Sequence, residues 1–312
     1  MKRKRQNKFP TIILIFISLI LLFKFNPFLS RLFSNTGSIE NSTNYTLDDN
    51  YISYENIKST NAAVINKNTN KIIIGKNPQD KIYPASMTKV MTAIIGLENI
   101  KNLNRRVTIT GDIISYCNAN GLSVSGFEEG DKPKIIDLLY GILLESGGEA
   151  SIALAKEVSG SENDFTKLMN EKAMEIGMVN THFSNSTGIT DSENYSTSED
   201  IALLFDYALK NNQFKKIITT KEYTARGIKG IFTKHTVYNR LFQKRNLLDI
   251  NKEYIQGGKT GYTEAAGLCL VSFGVVNNNE YIIVTAGADG DSTTPQYNLL
   301  DSFKLYKELE TY

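Results

Sequence analysis

What most limits how this chain can fold is a change of apolar rhythm along it. Short β-prone runs stand at residues 62–66 and 71–75, joined by Lys67, Asn68, Thr69 and Asn70, and predict a hairpin. Residues 255–262, 267–276 and 281–286 predict three more strands, the last two linked by Asn277, Asn278 and Asn279, and residues 222–238 one or two further ones. Between the two groups the spacing turns helical. Met87, Val90, Met91, Ile94 and Ile95 recur at i, i+3, i+4, i+7 and i+8, a core-facing stripe ending near Ile100. Pro133 opens a second helix at its first position, through Ile135, Leu138, Leu139, Ile142 and Leu143. Helices follow at about 149–158 and 164–176, and at 201–209 behind a Thr197 or Ser198 cap; another closes the chain at 295–311. Residues 106–110 read as a short strand, and 111–131, with four glycines, as loop. The expectation is an α/β fold: one antiparallel sheet built from both ends of the chain, with an all-helical region, about 111–215, inserted into it.

The N-terminal 60 residues follow other rules. Lys2, Arg3, Lys4, Arg5, Lys8, Lys24 and Arg31 all precede the first acid, Glu40. Residues 9–23 are almost wholly apolar, and Phe25, Phe28 and Leu29 extend the run past Lys24. A basic start before an apolar run fits a signal peptide or a membrane anchor. With no small-x-small cleavage site directly after it, a retained anchor is expected over 9–29, the basic tail 1–8 staying cytoplasmic and the rest facing outward. Residues 30–59, rich in Asn, Ser and Thr, read as a polar tether without regular structure; the sequons at Asn41 and Asn44 carry no weight in so Asn-rich a stretch. Residues 60–312 form the folded domain.

Setting aside those seven of the 35 basic residues leaves 28 against 33 acidic ones. A mildly acidic body argues against a nucleic-acid partner. Cys117 and Cys269 read as lone buried thiols, and His182 and His235 lack any ligand pattern, so no metal or cofactor is expected.

Three polar islands carry the chemistry. Ser86 precedes Lys89 by three residues, so both side chains share one helix face. A lysine beside a buried stripe loses solvation and becomes a neutral base that can activate a serine without histidine. Ser146, Gly147 and Gly148 interrupt the helical block, and Lys259, Thr260 and Gly261 sit on a strand. Each also has a bland explanation: a helix start with a surface lysine, a helix C-cap, an edge-strand end.

Their order decides. Ser-x-x-Lys followed much later by Lys-Thr-Gly is the signature of penicillin-recognising serine enzymes. The stretches 84–89, 138–144, 194–197 and 258–267 closely resemble the low-molecular-weight penicillin-binding proteins that act as D-alanyl-D-alanine carboxypeptidases, over about residues 60–290. The resemblance implies a β-lactamase/transpeptidase-like fold and an extracytoplasmic serine carboxypeptidase removing the terminal D-alanine of peptidoglycan stem peptides, with β-lactams as covalent inhibitors. Ser86 would attack, Lys89 would take its proton, and Ser146 would relay a proton to the leaving amine. Lys259 and Thr260 would hold the substrate carboxylate. Gly261 belongs to the same substrate-binding strand, and the N–H groups of Ser86 and Tyr262 would form the oxyanion hole. Two departures stand out. Where the family usually has Asn the chain has Gly148, which offers no amide. Many relatives also continue into an extra β-rich domain and a C-terminal amphipathic anchor, whereas this sequence stops soon after its last helix, leaving anchoring to the N-terminal segment. A non-catalytic wall-binding module and a β-lactamase are the competing readings.

Overall fold

The structure is a computed structural model and describes residues 45–229, 233–248, 254–291 and 293–312. The basic tail, the apolar segment 9–29 and residues 30–44 of the tether, with both sequons, lie outside the described residues. No helix among the described residues is long and apolar enough to cross a membrane.

Six strands form the sheet, in the order β1-β3-β2-β8-β7-β6. They are β1 (Thr46–Ser53), β2 (Asn61–Asn66), β3 (Lys71–Lys76), β6 (Ile255–Thr263), β7 (Gly267–Val276) and β8 (Asn279–Ala288). The predicted hairpin is β2–β3, and β6, β7 and β8 fall where expected. Three of the strand expectations need correction. Part of the supposed tether is β1, which pairs in parallel with β3 and makes the sheet mixed. Its side chains are mostly exposed, so the backbone ladder, with no apolar rhythm, defines it. Strands β4 (Glu222–Arg226) and β5 (Lys234–Tyr238) form a separate two-stranded sheet. Arg106 makes only an isolated bridge to Lys134.

The helices are α1 (Lys89–Asn99), α2 (Gly111–Ala119), α3 (Ile135–Tyr140), α4 (Gly148–Ser159), α5 (Glu162–Ile176), α6 (Ser198–Leu209), α7 (Asn212–Ile218), α8 (Arg240–Leu247) and α9 (Tyr297–Glu308). Helix α2 occupies a stretch read as loop; only Ile113 and Cys117 on it are buried, too few for a visible stripe. Pro133 stands before the Lys134 N-cap of α3, outside the helix. Thr197 caps α6 as expected, accepting from the Asp200 amide.

Period-2 alternation divides the sheet between two cores. Val271, Phe273, Ile282 and Val284 face the helical region with α1, α4 and α6. Leu270, Tyr281 and Ile283 face Leu299, Leu305 and Tyr306 of α9. The nucleophile turn packs against β6, so the site forms where the helical region meets that edge of the sheet.

Candidate active site

Ser86 lies on a one-turn 3-10 segment, Ala85–Thr88, that runs directly into α1. Ala85 has φ +45°, a backbone setting unfavourable to a residue with a Cβ, and the Pro84 carbonyl closes the turn by accepting from the Met87 amide at 3.0 Å. The apolar stripe behind it, Met87, Val90, Met91, Ile94 and Ile95, is fully buried and fixes the rotation of α1. Lys89 is thereby carried inward, only 2% exposed. Its Nζ stands 3.1 Å from Ser86 Oγ and donates to the Thr187 carbonyl at 2.5 Å. Burial lowers its pKa to about 7; the Glu149 carboxylate opposes that, Arg240 reinforces it, and Cys117 acts weakly against it. Near neutrality the amine exists substantially uncharged, and the same 3.1 Å line then lets the Ser86 hydroxyl donate to nitrogen.

The loop supplying the Thr187 carbonyl reads from sequence as plain loop chemistry, and it is more than that. Asn185 Oδ1 accepts from the Gly188 amide at 2.7 Å and from both the amide and hydroxyl of Thr187 at 3.2 Å. The Ser186 carbonyl accepts from Thr92 Oγ1 at 2.7 Å, and Glu162 holds the Ser186 amide and hydroxyl. Gly188 has φ +79°, and a Cβ there would run into the Ala85 carbonyl. The loop thus clamps the nucleophile turn and presents one carbonyl to Lys89. No side-chain pattern announces it, because the group that acts is backbone.

On the other side runs β6. A Cβ on Gly261 would lie 3.1 Å from Ala85 Cβ and 3.2 Å from the Ser86 nitrogen, so the strand passes flush against the nucleophile turn and brings Tyr262 next to it. Lys259 is 1% exposed and donates to the Thr260 carbonyl at 2.9 Å. Burial, then Lys89, Arg240 and Lys244, hold its pKa well below the ordinary lysine value, with Glu145 opposing. Thr260 is half-buried and Tyr262 is exposed.

Ser146 ends a π-turn, Gly141–Glu145, and adopts a left-handed conformation, φ +66° and ψ +33°. Its Oγ is buried without a hydrogen-bond partner among the described residues. Glu145, just before it, accepts from the Tyr238 amide at 2.8 Å and from Arg240 Nε at 3.2 Å. Arg240 also donates to Ser123 Oγ at 3.0 Å. The Gly148 amide donates to the Ser123 carbonyl at 2.7 Å, and a Cβ on Gly148 would meet the Leu122 side chain at 3.0 Å. Leu122 therefore takes up the space where an asparagine would begin. Ser86, Lys89 and Gly261 are brought into direct apposition, and Lys259 is coupled electrostatically to Lys89. Arg240, which acts on both lysines and braces the turn before Ser146, escaped sequence reading; no motif marks it.

Among the described residues no three His, Cys, Asp or Glu side chains are grouped to hold a metal. Cys117 and Cys269 are buried free thiols. A polar surface cavity of about 440 Å³ lies beside the Asn185 loop, lined by Tyr116, Asn120, Glu162 and Asp191 among others.

Residues 48–290 match the family described as D-alanyl-D-alanine carboxypeptidase, peptidase family S11. The chain is 33% identical over 233 residues to the D-alanyl-D-alanine carboxypeptidase DacF of Bacillus subtilis, covering 74% of this chain but only 58% of that protein. It is 34% identical over 241 residues to a Streptomyces D-alanyl-D-alanine carboxypeptidase, covering 73% and 81% of the two chains. Against the D-alanyl-D-alanine endopeptidase of Escherichia coli it is 32% identical over 257 residues, 82% and 78%. Among solved structures, a variant of the Streptomyces K15 DD-transpeptidase superposes with a TM-score of 0.74 at 28% identity, covering 81% of this chain and 98% of that one.

Proposed function

The chain belongs to the D-alanyl-D-alanine carboxypeptidase family, and from that premise we propose that it is a serine D,D-carboxypeptidase acting on peptidoglycan stem peptides. The observation that carries this reading is a buried lysine amine 3.1 Å from the Ser86 hydroxyl, on a turn clamped between β6 and the Asn185 loop. Ser86 Oγ attacks the carbonyl carbon of the penultimate D-alanine while Lys89 takes the hydroxyl proton. The oxyanion draws on the amides of Ser86 and Tyr262, a pairing supported by the neighbouring Gly261, where an added Cβ would lie 3.2 Å from the Ser86 nitrogen. The proton returns to the departing D-alanine amine through Ser146, whose buried hydroxyl has no competing partner among the described residues. Water then releases the acyl group from Ser86. The Lys259 cation, which burial and neighbouring cations disfavour, gains a counter-charge when the substrate carboxylate enters, and Thr260 adds a hydrogen bond. β-Lactams present a strained amide and a carboxylate in the same relation and acylate Ser86.

We further propose that residues 9–29 anchor the protein in the cytoplasmic membrane with the domain outside, a reading supported by the five cations of residues 1–8 and the apolar run that follows them. A second reading rests on Gly148: with Leu122 in place of an amide, the site binds stem peptides or penicillin without efficient turnover.

Purified full-length protein should form a mass-shifted adduct on Ser86 with penicillin and release D-alanine from a pentapeptide ending in D-Ala-D-Ala. Ser86→Ala should do neither. Continued D-alanine release by that variant overturns the mechanism; adduct without peptide turnover selects the second reading; rapid penicillin hydrolysis selects a β-lactamase. Cleavage of cross-linked dimers in place of pentapeptide would move the assignment to an endopeptidase.

A further inference from the structure

Ser146 stands in a backbone setting that a residue with a Cβ does not hold unaided. Its left-handed φ of +66° and ψ of +33° are strained, and such strain persists only where the surroundings fix it. The amides of Ser146 and Gly147 both donate to the Gly141 carbonyl, the second at 3.0 Å, and close the turn on itself. Ser125 lies against that closure from outside. A Cβ added to Gly141 or to Gly147 would in each case stand 2.6 Å from Ser125 Oγ, so the hydroxyl sits in the notch between the two glycines.

The loop that carries this wedge, residues 122–127, is gripped from two sides. Glu149, in the first turn of α4, has no exposed surface. Its Oε1 accepts from the Ser125 amide and hydroxyl, both at 2.7 Å, and from the Phe127 amide at 3.3 Å. Its Oε2 would lie 3.1 Å from a Cβ on Gly147, so the carboxylate itself borders the turn. On the other side His235 Nε2 of β5 donates to the Ser125 carbonyl at 2.6 Å, and the Phe127 and His235 rings pack with centroids 5.1 Å apart. Gly148 leaves the room that Leu122 and the loop fill, and Glu149, one residue on, holds what that room admits. Because the Ser125 hydroxyl donates to Glu149, it does not compete for Ser146 Oγ, which has no hydrogen-bond partner among the described residues. We infer that Glu149 is the positioning residue for Ser146, given that Ser146 returns the proton to the departing amine as proposed above. The carboxylate fixes the Ser125 wedge, and the wedge fixes the left-handed turn that aims the Ser146 hydroxyl.

The leaving group separates this role from general support of the fold. Expelling an amine requires a proton on its nitrogen, whereas expelling a thiolate requires none. The measurement is kcat/KM of the full-length protein for two substrates with the same acyl group. One is a peptide ending in D-Ala-D-Ala; the other is a thioester whose mercapto-acid leaving group keeps the terminal carboxylate. Ser146→Ala sets the benchmark and should slow the peptide far more than the thioester. Glu149→Ala should follow it, the peptide-to-thioester ratio falling about tenfold or more, and Ser125→Ala should lower that ratio about threefold or more. Glu149→Gln keeps an acceptor oxygen for the loop and should recover most of the ratio. Equal loss on both substrates, or an unchanged ratio in Ser125→Ala, overturns the inference and leaves the chemistry of Ser86 and Lys89 standing. A Glu149→Gln protein as impaired as Glu149→Ala overturns it too, because charge and not the grip on the loop would then be what counts. Should Glu149→Ala fail to fold, Ser125→Ala, which removes a single oxygen, decides by itself. A Ser146→Ala protein that slows both substrates alike would instead sink the proton-return step, and this role with it.

Discussion

An amine carried into the interior beside Ser86 loses the hydration that favours its ammonium form, and that loss is both its chemistry and its cost. With Lys89 titrating near 7, acylation should rise with pH through about 7 and then level off. Lys89→Arg keeps a cation that cannot act as a base, and acylation should fall by about 10²–10⁴-fold across that range. Folding stability should register the same group. Between about 7 and the ordinary value of 10.5 the unfolded chain holds a proton on this lysine that the folded chain does not. Stability therefore gains from this residue as pH rises through that window, and the gain is lost as pH falls to about 7. Lys89→Met removes the group altogether. In denaturant titrations its advantage over the parent should be greatest near pH 6 and shrink towards pH 10; an advantage independent of pH would show that the amine is not titrating as its burial implies.

Helix α1 and the Asn185 loop show what a sequence does and does not announce. The stripe from Met87 to Ile95 is a side-chain rhythm, and it led directly to the helix, its buried face and the pairing of Ser86 with Lys89. The Lys-Thr-Gly strand was legible for the same reason. The π-turn before Ser146 has no rhythm of its own, α2 shows too few buried positions, and the Asn185 loop works through a carbonyl. Arg240 was hidden because its partners, Glu145 and Ser123, lie 95 and 117 residues away. Gly188 tests how far that loop controls the site. Alanine there would combine a left-handed φ with a clash against the Ala85 carbonyl, so the loop and the nucleophile turn must part. Gly188→Ala should lose about 1–3 kcal/mol of stability and, because the Thr187 carbonyl retreats from Lys89, should also slow acylation measurably at a temperature where the protein remains folded. Thermal melting and acylation rates measured side by side check both; loss of stability with an unchanged rate would reduce the loop to a brace.

Because the sheet begins at Thr46, the folded body is longer at its N-terminal end than composition suggested, and the consequences can be weighed across the molecule. Tyr45 is buried in the main core, and the Tyr51 ring lies against Gly75, where its hydroxyl would be 2.7 Å from an added Cβ. Further along, Ser59 donates its amide and hydroxyl to Asp301 Oδ2 of α9, at 2.6 and 2.7 Å, and Asp301 is itself buried. A protein beginning at residue 60 loses Tyr45, the parallel ladder to β3 and both donors to Asp301. Burial of one large side chain is worth about 1.5–3 kcal/mol, and a stranded buried acceptor costs about 1–3 kcal/mol. For a domain of this size that corresponds to roughly 10 °C in melting temperature. The catalytic edge should not feel it at 25 °C, because β1 and β6 are the two opposite ends of the strand order and the hydrogen bonds of Lys89 and Lys259 go to Ser86, Thr187 and Thr260, all outside residues 45–59. Residues 45–312 should therefore melt well above residues 60–312 while both acylate with penicillin at the same rate. Coincident melting curves would return β1 to the tether, and a slower rate in the shorter protein would mean that the far edge of the sheet reaches the active site through the strands between.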